Sequence, residues 1–322
     1  MRPLRTLATC ACLLLLASAA SAQLGSGGAF SVLSLDASPR TAALGGLHSA
    51  LGGTDPAQLF YNPSLLEPSN GTLSLGYLNH LAGLNAGFAA YGRTIRGIDA
   101  AVGVRYLSYG ELDGADARGE ETGTFSASDI ALTAGASYSI SERLRLGANA
   151  HVVTSGIDDA RATALAADVA AAFTVPAQAL TATVSLHHAG AVVSSLAETT
   201  DELPLDLRVS VSKRLQYLPL LVSVTGYNLA DPGGSGTGDQ NAAAQIARHV
   251  RVGGELQFSP TFQVRLGFSP ERNQDLRTRD RLDFAGLTGG FGLKVSRFHV
   301  DYAFQSWSEN GTLHYLGLRT AL

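Results

Sequence analysis

The chain has 322 residues, of which 45% are hydrophobic and only 16% charged, with 36 glycines and a single Trp. Soluble domains usually carry about a quarter charged residues, so the composition points away from an ordinary soluble surface. A formal net charge of -4 gives no basis for nucleic acid as a partner, and the length accommodates two soluble domains or one large barrel.

Residues 1–22 have the build of a secretory signal peptide. Arg2 and Arg5 form its basic start, Leu7 to Ala17 its apolar core, and Ala20-Ser21-Ala22 a small-residue cleavage site that leaves Gln23 as the mature start. The core is shorter than the ~20 residues that span a bilayer. Leu7-Ala8-Thr9-Cys10 looks like a lipidation signal, but Leu13 to Leu16 carry the apolar core past it. The only cysteines, Cys10 and Cys12, lie in this leader, so the mature chain is expected to have neither disulfide nor thiolate chemistry. Later apolar runs are broken at every second or third position, so a membrane-resident chain of this kind has to be a closed barrel.

Residues 23–71 form a lead and a segment that does not alternate. In Ser38 to Leu66 the apolar residues cluster (Ala42, Ala43, Leu44; Leu47, Ala50, Leu51), broken by Gly45-Gly46 and Gly52-Gly53 and stiffened at Asp55-Pro56 and Asn62-Pro63. Short helical turns fit this pattern better than one long helix. Two readings are open: a plug, or hatch, held inside a barrel, and an N-terminal arm packed on a sandwich.

From Thr72 to the C-terminus a two-residue period dominates. Leu205, Leu207, Val209 and Val211 oppose Asp206, Arg208, Ser210 and Ser212, and Phe262, Val264, Leu266 and Phe268 oppose Gln263, Arg265 and Gly267. The pattern predicts strands near 72–80, 85–93, 98–109, 126–139, 143–155, 161–174, 179–190, 204–214, 219–228, 248–258, 261–270, 284–295, 298–306 and 312–321. That is about fourteen, and bacterial single-chain barrels have even strand numbers. The connections sort by parity. Thr94–Gly97, Ile140–Glu142, Val175–Gln178, Leu215–Leu218, Ser259-Pro260 and Ser296-Arg297 are short, whereas Gly110–Phe125, Ala191–Leu203, Leu229–Ala247 and Glu271–Asp283 are long; Leu81–Leu84 is the misfit. The fold class expected is all-β, a transmembrane antiparallel β-barrel over residues 72–322 with an N-terminal plug.

The polar face carries Arg, Asp, Ser, Thr and Asn rather than Lys and Glu. Arg105, Asp129, Arg145, Asp168, Arg208, Arg251, Arg265 and Asp301 would all point into one lumen, with Asp36, Asp55 and Glu67 of the plug as candidate partners. Charge balance inside a filled barrel is favoured over a selective ion path. Tyr77, Tyr106, Tyr138, Tyr302 and Phe258 have the character of interfacial anchors.

Four stretches carry a family resemblance: SPRTAALGG, LFYNPSLL, LSYGELDGADARGEETGTFSASDIAL and GLTGGFGLKVSRFHVDYAF. The third is the most specific, through Tyr109-Gly110, Asp113 to Asp116, Gly123 to Phe125 and Ala127 to Asp129. From about Phe30 onward the chain resembles the PorQ-type outer-membrane proteins of the type IX secretion system, within the wider PorV/FadL-like barrel family. The resemblance implies residence in the bacterial outer membrane, a barrel of about fourteen strands with the N-terminal segment as hatch, and a place as membrane anchor in the cell-surface attachment complex for secreted cargo. Its implied partners are outer-membrane lipid, PorV, the protease PorU and PorZ. Asn62-Pro63-Ser64 stands where such barrels often have Asn-Pro-Ala, and Leu322 rather than Phe closes the chain.

No motif calls for catalysis, a cofactor or a metal. Gly233 to Asp239 lacks the Gly-Lys-Ser/Thr of a phosphate loop, and no Gly-x-Ser-x-Gly surrounds a nucleophile. His187 and His188 would point to opposite faces of a strand and so cannot share a metal. The acidic loop residues Glu111, Asp113, Asp116, Glu120 and Glu121 are the candidate partner-binding group. The alternative to the anchor is a FadL-like channel for small hydrophobic molecules, opened by movement of the plug. Gly286 to Gly292 would serve it as a strand kink toward lipid, and equally serve plug packing.

Overall fold

The computed structural model describes residues 29–322 except 37, 68, 80–82, 116–117, 119, 197–200, 231–245, 278–282 and 309–310. The leader, the Gly-rich stretch Asp231 to Gln240 and Asp116 lie outside the described residues. Fourteen strands form one closed barrel. In chain order they are β1 (Thr72–Asn79), β2 (Asn85–Ile95), β3 (Ile98–Ala115), β4 (Glu121–Ser139), β5 (Leu144–Ile157), β6 (Ala160–Val175), β7 (Leu180–Ser194), β8 (Asp206–Arg214), β9 (Leu220–Gly226), β10 (Val250–Ser259), β11 (Phe262–Phe268), β12 (Leu287–Val295), β13 (Phe298–Ser306) and β14 (Thr312–Ala321). Each pairs antiparallel with the next, and β1 closes on β14 from Thr72↔Ala321 to Asn79↔His314. Closure leaves no unpaired sheet edge, which a lipid environment demands.

Alternation along the strands sorts the faces. Val102, Leu132, Val169, Val209, Leu266 and Leu316 are exposed on the outside, whereas Arg105, Asp168, Arg208 and Arg265 are buried on the inside. An apolar exterior on a closed, polar-lined barrel is the bilayer-spanning type found in bacterial outer membranes. Tyr77, Tyr106, Tyr138 and Phe258 are exposed. No helix among the described residues is long and apolar enough to cross a membrane; the strands cross it.

Connections at one end are all short, as at Arg96-Gly97 and Ser296-Arg297. The opposite end mixes long connections with short ones, including Asp158-Asp159 between β5 and β6, so the expected sorting by parity holds strictly at one end only. One expected loop, Gly110–Phe125, is mostly a hairpin. β3 and β4 continue to pair from Glu111↔Ser126 to Gly114↔Gly123 after an irregularity between Ser108 and Glu111. Polar residues on both faces of this ribbon are compatible with pairing because it projects past the barrel wall, where water solvates both sides.

The N-terminal segment fills the lumen, which decides for the plug over the sandwich arm. It contains α1 (Pro39–Ala43) and single 3-10 turns at Ser31–Leu33, Pro56–Phe60 and Pro63–Leu65. Proline opens three of these elements, where its missing N–H costs nothing. Asp55 caps one turn by accepting from Ala57 N at 2.9 Å. Asn62 caps the next, accepting from Ser64 N at 3.0 Å while its Nδ2 donates to Ser49 O at 2.7 Å. Phe30, Leu44, Leu51 and Leu59 are fully buried between plug and wall. The wall is recessed to receive them: a side chain at Gly147 would meet the Pro63-Ser64 backbone, and one at Gly267 would meet that of Leu44-Gly45.

From Leu287 to Val295 strand β12 pairs without register shift on both flanks, while Gly286 just before it takes φ +77°. Gly290 there is close to Ala43 of the plug: a β-carbon on it would lie 2.9 Å from that of Ala43.

Candidate functional site

At the long-loop end two adjoining cavities lie above the plug. One, of about 230 Å3, is a largely apolar cup of Leu35, Leu84, Leu107, Trp307, Leu313 and Tyr315, with Asp36, Arg272 and Gln305 on one side. The other, of about 320 Å3, is lined by His188, Pro204, Leu205, Asp206, Arg208, Tyr227, Arg251 and Glu271. Ser34 and Arg272 border both.

Arg272, which borders both chambers, holds a buried carboxylate that lines the smaller one. Asp36 accepts from Arg272 Nη2 at 2.9 Å, Leu47 N at 2.9 Å and Gln305 Nε2 at 3.3 Å. Arg272 belongs to α2 (Pro270–Leu276), which Ser269 caps by accepting from Arg272 N at 3.2 Å. Burial alone would push the Asp36 carboxyl up; the Arg272 charge and the hydrogen bonds from Arg272 and Leu47 outweigh it and hold the group below its ordinary value. Gly46 beside it has φ +89°, and a side chain there would strike the Asp36 carboxylate. Tyr227 donates to Glu271 Oε2 at 2.7 Å, and burial pushes its phenol up.

The lumen charges form ion pairs, some of them lining the larger chamber and some deeper beside the plug. Arg145 meets Asp99 at 2.8 Å, Arg208 meets Asp206 at 2.5 Å, and Arg251 meets Glu271 at 2.6 Å. Arg265 bridges Glu255 at 2.8 Å and Asp301 at 2.5 Å. Arg40 of the plug joins this group through a bidentate contact to Glu255 at 2.9 and 3.0 Å. Arg105 donates to Leu33 O at 3.0 Å and lies over the Phe60 ring. Asp129 accepts from Val32 N at 3.2 Å and Ser155 Oγ at 2.5 Å. The plug carboxylates are therefore not the main partners of these arginines. Asp36 takes Arg272, Asp55 lies 3.7 Å from Arg319, and Glu67 accepts from Gly53 N at 2.8 Å. The reason is geometric: Glu255 and Arg265 sit directly opposite on β10 and β11, within side-chain reach before any plug docks.

The histidine pair also departs from expectation. His187 and His188 are both buried on the lumen side. The register of β6 on β7 shifts between Ala167 and Val169, and His188 takes φ 58°, so a bulge turns the second ring inward. Two adjacent polar residues inside an alternating strand were the sequence signal for that bulge.

Of the acidic group, Glu111 and Asp113 are exposed on the β3–β4 hairpin, Glu120 is exposed beside it, and Glu121 opens β4. Sequence reasoning did not single out Glu255, Asp99 or Arg272. Glu255 stands on the polar face of β10 and was open to discovery by alternation; Arg272 meets Asp36 only through tertiary folding.

No family model matches the chain, and no curated protein does. The fold is similar to that of the Ralstonia pickettii toluene transporter TbuX, at a TM-score of 0.58 and 13% identity over 89% of this chain and 99% of that one. It is similar to the CymD monoaromatic hydrocarbon channel, with a TM-score of 0.58 and 12% identity over 90% of this chain and 98% of the other. A Pseudomonas aeruginosa FadL homologue follows at 0.54 and 11% identity, over 88% and 98%. The fold is thus that of FadL-type outer-membrane barrels. This likeness carries the barrel part of the sequence resemblance and does not extend to its secretion-system part.

Proposed function

We propose that this protein is an outer-membrane channel for small apolar molecules, which enter from the long-loop end and pass when the plug shifts. The observation that carries this reading is the apolar cup directly above the plug, with Trp307 and Leu313 on its wall and Leu35 of the plug itself as part of its lining. A ligand there touches the element that has to move. At about 230 Å3 the cup is smaller than a typical drug-sized pocket of roughly 300–1,000 Å3, which favours a compact solute such as a monoaromatic hydrocarbon. The fold neighbours named as toluene and monoaromatic hydrocarbon channels support the same substrate class. The wall ion pairs act as scaffold for the plug.

Trp307 is the single Trp of the chain, so its fluorescence reports on the cup directly. Toluene added to the detergent-solubilised protein is expected to change Trp307 emission saturably. Leu35→Asn and Leu84→Asn should each weaken binding about tenfold or more, since burying a leucine side chain is worth about 1.5–3 kcal/mol. Emission that does not respond to saturating toluene removes this reading.

A second reading rests on the β3–β4 hairpin, which carries the exposed residues Glu111, Leu112 and Asp113 past the barrel wall. In it the barrel is the membrane anchor of a cell-surface attachment complex with PorV, PorU and PorZ-like partners. The hairpin would contribute charge-assisted, salt-sensitive contacts. Deleting Asp113 to Glu120 distinguishes the two: the channel keeps solute uptake, whereas the anchor loses surface attachment of cargo.

A further inference from the structure

We infer that Asp168, His151, His187 and His188 form a binding site for a divalent metal ion of the zinc class, built into the lumen wall at the β6–β7 bulge. Three strands supply the donors: β5 gives His151, β6 gives Asp168, and β7 gives both adjacent histidines because the bulge turns His188 inward. All four residues are buried. Ligand atoms of Asp168, His187 and His188 lie within 4.8 Å of one another. His151 Nε2 is 2.8 Å and His187 Nδ1 3.3 Å from the same oxygen, Asp168 Oδ2. In a tetrahedral zinc site, bonds of about 2.0–2.1 Å put donors about 3.3 Å apart; Asp168, His187 and His188 already lie close to that spacing, and His151 Nε2, next to Asp168 Oδ2, is the fourth donor that has to move in.

The surroundings are those of a ligand set. His151 Nε2 and His187 Nδ1 both converge on Asp168 Oδ2, so the carboxylate draws two imidazole nitrogens to one point. The opposite ring nitrogens are each held from outside. Thr133 Oγ1 is 2.9 Å from His151 Nδ1, Ser185 Oγ is 2.8 Å from His187 Nε2, and Pro204 O is 3.0 Å from His188 Nδ1. A carbonyl can only accept, so His188 carries its proton on Nδ1 and presents the Nε2 lone pair for ligation. Asn149 Nδ2 and His188 N donate to the two Asp168 oxygens at 2.9 and 2.8 Å, orienting the carboxylate. Three imidazoles and one carboxylate suit zinc and its neighbours rather than calcium or magnesium, which prefer all-oxygen shells. The nearby Arg208 charge is offset by Asp206 at 2.5 Å. His188 also lines the 320 Å3 chamber, which gives the ion a route in from the long-loop end. Once bound, the metal ties β5, β6 and β7 together and, through His188, fixes Pro204 at the chamber wall. This inference is independent of the transported solute.

The test uses the whole folded barrel, stripped with a chelator and titrated with Zn2+ by calorimetry. One ion per chain is expected, with Thr133→Val weakening binding about 10–100-fold as loss of an outer-shell partner does, and His187→Gln and His188→Gln weakening it by more. Each variant is first checked for the heat-dependent gel mobility of a closed barrel. If a variant does not fold, X-ray absorption of the Zn2+-loaded wild type replaces it, and imidazole scattering from three rings is expected. Absence of Zn2+ binding to the wild-type barrel, binding unchanged in both histidine variants, or a metal shell without imidazole would each overturn the assignment.

Discussion

Arg272 and Asp36, 236 positions apart in the sequence, meet at 2.9 Å where the long connection after β11 closes over the plug. One residue sits on α2 and the other on the plug, so the contact is a latch between an outer element and the segment that obstructs the lumen. Asp36 is almost fully buried, and removing its partner leaves a buried charge. Arg272→Gln is expected to cost the docked plug about 3 kcal/mol, the scale for breaking a buried pair from one side. Faster hydrogen exchange at Leu47 N, which donates to the same carboxylate, would record it.

The same pair sets a pH window. Asp36 is held below its ordinary value of 3.8, so the unfolded or undocked chain binds its proton more readily. The latch therefore contributes fully above that ordinary value and is lost only as pH falls through the depressed one. Leu47 amide protection should be unchanged between pH 7 and 5 and should decline below about 4. A decline complete by pH 5 would mean that Asp36 is not the responsible group.

The face assignment is tested on one strand. Leu266 is 60% exposed on the barrel exterior and Arg265 is 2% exposed in the lumen. Leu266→Arg is expected to destabilise the inserted barrel by about 2–4 kcal/mol near the bilayer midplane. Leu266→Val should be nearly neutral. Urea titration in lipid vesicles measures both; a harmless Leu266→Arg would invert the faces.

Plug docking is tested at the recessed wall. A side chain at Gly267 collides with the Leu44-Gly45 backbone of the plug, while the strand there pairs regularly, Gly267 opposite Thr288. Gly267→Val is expected to leave a closed barrel with a displaced plug, read as increased single-channel conductance in a planar bilayer. Unchanged conductance would show that the plug is not what blocks the lumen.

The barrel was largely legible because alternation in a closed wall is enforced residue by residue: Val209 and Leu266 must meet lipid, and Arg208 and Arg265 must not. The β3–β4 hairpin was read short because Glu111 to Glu121 alternates little once both faces are wet. The pairing of plug and wall was not legible. Asp36 to Arg272 depends on where a non-periodic segment comes to rest, and Glu255 finds Arg265 and Arg40 together only after folding. His188 departs from the alternation because a bulge breaks the two-residue rule on which the facing depends.

Movement of the plug is tested most directly by cross-linking it to the wall. A β-carbon at Gly92 on β2 would lie 3.1 Å from that of Pro56 in the plug, close to the roughly 3.5–4.5 Å of a disulfide. The only native cysteines are Cys10 and Cys12, so a Pro56→Cys, Gly92→Cys protein truncated to begin at Gln23 carries a single pair. Toluene uptake into vesicles containing this protein is expected to be lost when the pair is oxidised and restored on reduction, with Trp307 still reporting binding in both states. Uptake that continues unchanged through the oxidised barrel would contradict the account.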